Sequence, residues 1–291
     1  MKNLFLTVLI CLIAPINLLA TEFHDALGRK LTLPHTPQRI LSLVPAVTEI
    51  LFALGLDNEI VAVTDYCDYP AAAQKLPKVG EYADPGLENI LLFKPDLVFA
   101  AADMNRPTLV RRLETLNIPV YVVYPHTVNA ALKTIRSIGD ITGEPSKAQR
   151  LAASIEMRID RIQQQLPGRK RPGVLEAVML QPLTVAGPET FGDDIMRIAG
   201  GLNVVPTGPS RYPTWNSEAL LTIDPEVIIV STYPGQPDPE QFFARWPLLQ
   251  AVKNQRIVHI EADWIHRPGP RIILGIEALA KALHPDIRID E

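Results

Sequence analysis

The stretch LENILLFKPDLVF, residues 87–99, has a second copy in SEALLTIDPEVII, residues 217–229. Glu88 stands seven residues before Pro95, and Glu218 stands seven before Pro225. In both copies apolar residues follow the acid at helical spacing (Ile90, Leu91 and Leu92; Leu220, Leu221 and Ile223), a proline–acid pair intervenes, and a continuous apolar run closes the phrase. That order predicts a short helix leading into a buried strand, because proline breaks the helical ladder and β-branched residues pack well on a pleated surface. One unit repeated at this distance predicts two related lobes. The acid itself has two readings. It complements a helix macrodipole from the first turn, or two acids at matching points of two lobes form a paired contact surface.

Outward from this phrase the pattern continues. RILSLVP (39–45) and IVAVT (60–64) read as strands flanking the helix TEILFALG, with Gly55 as its C-terminal cap; NRPTLVRRLETLN, IPVYVVY and TVNAALKTIRSIGDITG follow in the same alternation. A second series runs from VLEAVML (174–180) through DDIMRIAGG, SEALLTI, EVIIVS and RIVHI to RIILGIEALAKAL. Continuously apolar strands separated by helices predict parallel sheets covered on both faces. The expected fold is therefore α/β, with two Rossmann-like parallel-sheet lobes at 37–143 and 169–288. Between them, residues 144–168 carry Leu151, Ile155, Ile159, Ile162 and Leu166 at spacings of three or four, with Pro145 at the start and Pro167-Gly168 at the end. At ~1.5 Å per residue such a helix is roughly 30 Å long, about a domain diameter. A single helix packed on both lobes predicts a rigid link and small interlobe motions.

With 291 residues, 47% hydrophobic and 21% charged, the chain is long and apolar enough for two domains of ordinary size. A net charge of -4 offers no basic surplus for a nucleic-acid partner. The N-terminal MKNLFLTVLICLIAPINLLA has Lys2, an apolar core from Leu4 to Ala14, and Ala20 before the polar TEFHD. This predicts a signal peptide over 1–20, interrupted too soon by Pro15 and Asn17 to span a bilayer. Cys11 follows Ile10 rather than a small residue, so it is expected to leave with the signal. Cys67 then remains alone, an inert thiol with no disulfide partner, and stability must come from the two cores.

No G-x-G-x-x-G, Walker loop, G-x-S-x-G or H-E-x-x-H is present, and the six histidines (24, 35, 126, 259, 266 and 284) are scattered. No catalytic residue and no metal ligand set is therefore expected. The unusual residues are aromatics in loops after strands: Tyr66, Tyr69 and Tyr82, then Tyr212, Trp215 and Trp264. Such loops line ligand crevices in α/β sheets. Aromatic rings there offer flat apolar area with a polar tip, suited to a large, rigid, partly polar ligand. The alternative is that these rings plug lobe cores or brace turns beside proline, as at Tyr69-Pro70 and Tyr212-Pro213.

RILSLVPAVTEILFALG, VTDYCDYP, KVGEYADPGLENILLFKPDLVFA and ADWIHRPGPRIILGIEAL, in that order over about residues 38–287, resemble the periplasmic substrate-binding proteins of the ABC importers for cobalamin and iron chelates. The resemblance implies a two-lobed periplasmic receptor, monomeric when free. It would clasp cobalamin or a related corrinoid in its interlobe cleft, as transported ligand and not as catalytic cofactor, and deliver it to a dimeric membrane permease. Carried over by position, Tyr66, Tyr82 and Tyr212 would line the cleft. Asp263 and Arg267 would be polar contacts, with Trp264, Ile265 and His266 nearby. Relatives often carry tryptophan where Tyr82 and Tyr212 stand. Glu88 and Glu218 would be the permease-docking residues, one acid per permease subunit, with arginine the favoured partner. Two other readings stay open. A haem or ferric-siderophore receptor would show a committed His or Tyr ligand, or arginines and tyrosines aimed at anions. An exported enzyme or interaction module would, if an enzyme, show a nucleophile and base within hydrogen-bond reach.

Overall fold

The apolar runs of the sequence become strands, and proline or glycine marks where most helices begin or end. In a computed structural model describing residues 21–289, the chain opens with an antiparallel hairpin, β1 (Thr21–His24) and β2 (Lys30–Leu33). The expected signal segment 1–20 lies outside the described residues. The first lobe follows with β3 (Ile40–Ser42), α1 (Pro45–Ala53), β4 (Ile60–Val63), α2 (Leu87–Leu92), β5 (Leu97–Ala101), α3 (Pro107–Thr115), β6 (Val120–Val123) and α4 (Val128–Thr142). Its sheet is wholly parallel in the order β4–β3–β5–β6. The strand order therefore reverses between β3 and β5, which opens a crevice outside their carboxyl ends.

Helix α5 (Pro145–Gln164) links the lobes over 20 residues. It ends before the expected limit of 168, because the chain leaves the helix ahead of Pro167-Gly168 and Gly168 turns with φ 79°. Ala148, Ala152, Ile155, Ile159 and Ile162 form its buried stripe. That stripe packs on α4 of the first lobe and on α6 and α11 of the second, so one buried apolar cluster runs through both lobes. A large hinge opening would have to split this shared core.

The second lobe comprises β7 (Gly173–Leu180), β8 (Leu183–Val185), α6 (Phe191–Ile198), β9 (Leu202–Asn203), α7 (Ser217–Ile223), β10 (Val227–Thr232), α8 (Pro239–Phe243), α9 (Gln250–Lys253), β11 (Ile257–Glu261), α10 (Ala262–His266) and α11 (Ile272–Leu283). Strands β11, β10 and β7 are parallel as expected. Strand β8 departs from the all-parallel expectation. It returns along β7 after a two-residue reversal, with Leu180 opposite Leu183, and so short a connection permits only antiparallel pairing.

The repeated phrase holds in backbone as well as sequence. Each proline is preceded by a residue with left-handed backbone, Asp224 at φ 47° capping α7 and Lys94 at φ 44° one residue past the cap of α2. The non-glycine residues there accept strain so that Pro95 and Pro225 can direct the chain into β5 and β10.

Candidate functional site

The crevice predicted by the strand order holds a cavity of about 270 Å³. Its floor comes from the residues just past β3 (Val44, Pro45 and Ala46) and past β5 (Asp103 and Met104), with Tyr66 and Tyr82 on one wall. The second lobe adds His266, Arg267 and Pro268. Tyr66 and Tyr82 face each other with ring centroids 6.5 Å apart and planes inclined at 46°. The loop carrying Tyr82 is pinned by buried Asn105, whose amide donates to the Tyr82 carbonyl (2.7 Å) while its Oδ1 accepts from the Ala101 N–H (2.8 Å). Burial raises the Tyr82 phenol above its ordinary pKa, and the neighbouring Glu81 carboxylate raises that of Tyr66. Both rings therefore present neutral hydroxyls.

Arg267 enters the cleft already paired. Its guanidinium reaches Asp68 of the first lobe (2.6 Å), Asp263 (2.8 Å) and, more distantly, Glu49 (3.4 Å). Among the described lining residues it is the one permanent cation. His266 Nε2 lies 2.7 Å from Ser231 Oγ, and the buried Glu176 Oε1 lies 3.5 Å from both atoms. Glu176 is accommodated because residue 192 is glycine, where a Cβ would come within 1.9 Å of its Oε2. Burial pushes Glu176 up to about 7 and His266 down to about 4. A nucleophile and a base thus do come together. In a serine triad, however, the acid engages the ring nitrogen opposite the serine. Here acid and hydroxyl share Nε2, and Ser231 is buried.

Of the residues expected in the cleft, Tyr66, Tyr82, His266 and Arg267 line the cavity. Tyr212 does not; it stands in an exposed loop of the second lobe. Partial burial raises its phenol, and the carboxylates of Glu176 and Asp103 add to the shift. Asp263 is engaged with Arg267 and Arg271. The Ile265 side chain is 2% exposed and lies in the shared core, because the single turn of α10 must turn one face inward, so only its backbone is left for the cleft. Trp264 is half-buried against the same core, and Trp215 packs on the second lobe's own core. Residues not singled out from sequence are Asp103, Met104, Asn105, Glu176, Ser231, Glu49, Asp68 and Arg271. A signal existed for Glu176, a lone acid inside the apolar run VLEAVML, and for Asp103-Met104, which directly follow a strand.

Glu88 and Glu218 lie exposed in the first turns of α2 and α7. Among the described residues neither joins an ion pair, and the cap of α7 is Asn216, which accepts from the Ala219 N–H (2.9 Å). Each acid has an exposed leucine three residues on, Leu91 and Leu221.

Comparison with known proteins agrees with this architecture. A family model described as periplasmic binding protein matches residues 40–264. The vitamin B12-binding protein of Photorhabdus laumondii is 29% identical over 249 residues, which cover 85% of this chain and 88% of that protein. The crystal structure of the periplasmic vitamin B12 binding protein of Vibrio cholerae matches with a TM-score of 0.77 at 27% identity, over 85% of this chain and 97% of that one. A periplasmic heme-binding protein of Roseiflexus sp. RS-1 shares the fold at a TM-score of 0.76 and 24% identity, over 86% and 99% of the two chains.

Proposed function

The chain belongs to the periplasmic binding protein family, and on that premise we propose that it binds cobalamin or a related corrinoid in the interlobe cleft and delivers it to the permease of an ABC importer. The observation that carries this reading is the cleft's combination of neutral tyrosines with a cation that is already neutralised. A corrin is a large ring edged by uncharged amides. It suits aromatic faces and hydroxyl or carboxylate hydrogen-bond partners, and it needs no free cation. Haem would bring two carboxylates to a cleft whose lining arginine is committed to Asp68 and Asp263. It would also find His266 Nε2 engaged by Ser231 and two phenols that resist ionisation. Because enclosing pockets for drug-sized ligands run to about 300–1,000 Å³, a cavity of about 270 Å³ is the floor of the site, and a corrinoid would extend from it toward Tyr212.

No enzymatic role is proposed for the Ser231–His266 pair, since Glu176 sits on the wrong ring nitrogen to orient a general base. The pair holds the His266 ring at the cleft. Delivery would use Glu88 and Glu218, one per permease subunit, with the receptor monomeric when free and exported to the periplasm by segment 1–20. No helix among the described residues is long and apolar enough to cross a membrane.

Calorimetric titration of the purified protein with cyanocobalamin, haemin and a ferric hydroxamate tests the reading. Cyanocobalamin is expected to bind most tightly. Tight binding of haemin or the hydroxamate, with none of the corrinoid, would overturn it.

A further inference from the structure

The lobes meet at a second place besides α5. The segment 267–271 of the second lobe lies against the start of α1 in the first, so closely that a Cβ on Gly269 would stand 3.3 Å from the Ala46 carbonyl oxygen. At this contact the buried Glu49 of α1 takes both prongs of the Arg271 guanidinium, Nε to Oε2 at 2.9 Å and Nη2 to Oε1 at 2.6 Å. Tyr69 of the first lobe covers the same guanidinium at 4.0 Å. Arg271 then bonds Asp263 (3.2 Å), and Asp263 holds Arg267 (2.8 Å). The chain of contacts starts at Glu49 and ends on the arginine that lines the cleft. Glu49 itself is absent from the cleft lining and borders a separate hollow with Phe52, Tyr69 and Leu274.

We propose that Glu49 is a positioning residue for ligand capture: through Arg271 and Asp263, and by its own longer contact with Arg267 (3.4 Å), it holds Arg267 and the 263–267 segment at a fixed height over the cleft without touching the ligand. The lobes do not need this contact to stay together, since they share a core along α5. What the contact adds is direction. A forked guanidinium on a carboxylate restricts both groups in orientation, and removing either partner leaves the other with only its longer contact, Arg271 to Asp263 or Glu49 to Arg267.

The inference rests on the corrinoid reading, and the test separates the two. Glu49→Gln and Arg271→Lys should each weaken cyanocobalamin binding by ~10-fold or more, and the double variant should be no weaker than Glu49→Gln alone, because Glu49→Gln disturbs both the forked Arg271 contact and the longer one to Arg267. Arg169→Lys, at the separate Arg169–Asp286 pair, should bind as the unmodified protein does. In ligand-free protein the Arg267 Nε–H resonance should shift or exchange faster in Glu49→Gln. Unchanged affinity with an unchanged Arg267 resonance overturns the proposal; so does weaker binding with an unchanged resonance and a lowered melting temperature, which would mark a merely structural residue. If Glu49→Gln does not fold, Arg271→Lys decides by the same two readings. If the unmodified protein fails to bind cyanocobalamin, the functional reading falls, while the Arg267 resonance still decides the positioning role.

Discussion

Asp96 and Glu226 hold the same position in the two lobes. Each follows the proline of the repeated phrase and turns its carboxylate to the backbone N–H groups at the head of the neighbouring strand. Asp96 accepts from Gln38 (2.8 Å) and Arg39 (2.9 Å), and Glu226 accepts from Gly173 (3.0 Å). Each also donates its own N–H back, to the Arg39 and Gly173 carbonyls at 3.0 Å. The acid of the proline–acid pair therefore sets where β5 and β10 begin against β3 and β7.

Asp96→Ala removes two hydrogen bonds at exposed N–H groups, where water replaces the acceptor, and should cost about 1–2 kcal/mol of stability. Glu226→Ala strands one and should cost less. Lys170 and the Gly173 N–H hold the Glu226 carboxyl below its ordinary pKa. That part of its stabilisation is whole above the unfolded value of 4.5 and fades as pH falls below it. Urea midpoints of both variants at neutral pH check the order, and equal losses would contradict it.

Tyr66→Ala and Tyr82→Ala should each weaken corrinoid binding by ~1–3 kcal/mol, the scale of one aromatic face lost from a ligand. Tyr212→Ala should cost less, since that ring lies outside the cavity floor. Calorimetry on folded variants decides, and wild-type affinity in all three would assign the rings to structure alone.

Glu88→Ala and Glu218→Ala should bind ligand normally and lose at most ~0.5 kcal/mol of stability as helix-dipole partners. Their affinity for the permease should fall by ~2 kcal/mol if each leaves an arginine unpaired. Lysine at both positions should abolish uptake. Normal uptake by that double variant would return both acids to the dipole role.

Glu176→Gln should become more favourable as pH rises. The folded pKa of Glu176 is raised from 4.5 to about 7, so its contribution is whole below about 4.5 and is lost as pH climbs to about 7. That of His266 is lowered from 6.5 to about 4, so its contribution is whole above about 6.5 and is lost as pH falls toward 4. The two slopes oppose each other, so the combined contribution of this pair should change little across their overlap. Glutamine keeps the shape of the neutral acid and removes the Glu176 slope. Its melting temperature relative to the unmodified protein should therefore rise between about pH 5 and pH 7.5; a constant difference would show that Glu176 does not titrate there.

The repeated unit, the parallel strands and the linking helix were legible in the amino-acid order because their causes are local. Proline stops a helix wherever it falls, and a helical stripe such as Ile155, Ile159 and Ile162 declares its buried face by spacing alone. That Tyr66 and Tyr82 would line a crevice was legible from their place in loops after strands, whereas His266 and Arg267 at the same cavity were legible only from the likeness of the phrases around them. The hairpin β1–β2 was not, because TEFH and KLTL are short and carry too little alternation. That the Ile265 side chain turns into the core was not legible either, because one turn of helix carries no period from which to read a face.

By itself the sequence determined two α/β lobes, a helix between them and a paired acid on each, since all of these follow from short-range periodicity and its recurrence. Only the tertiary structure decided that Glu49 meets Arg271, 222 residues away, or that Ser231 and Glu176 meet at one nitrogen of His266. A charge buried on one strand or helix states that it needs a partner but not which one. That choice is made where strands and helices distant in sequence come together and water is excluded from the carboxylate and the guanidinium alike.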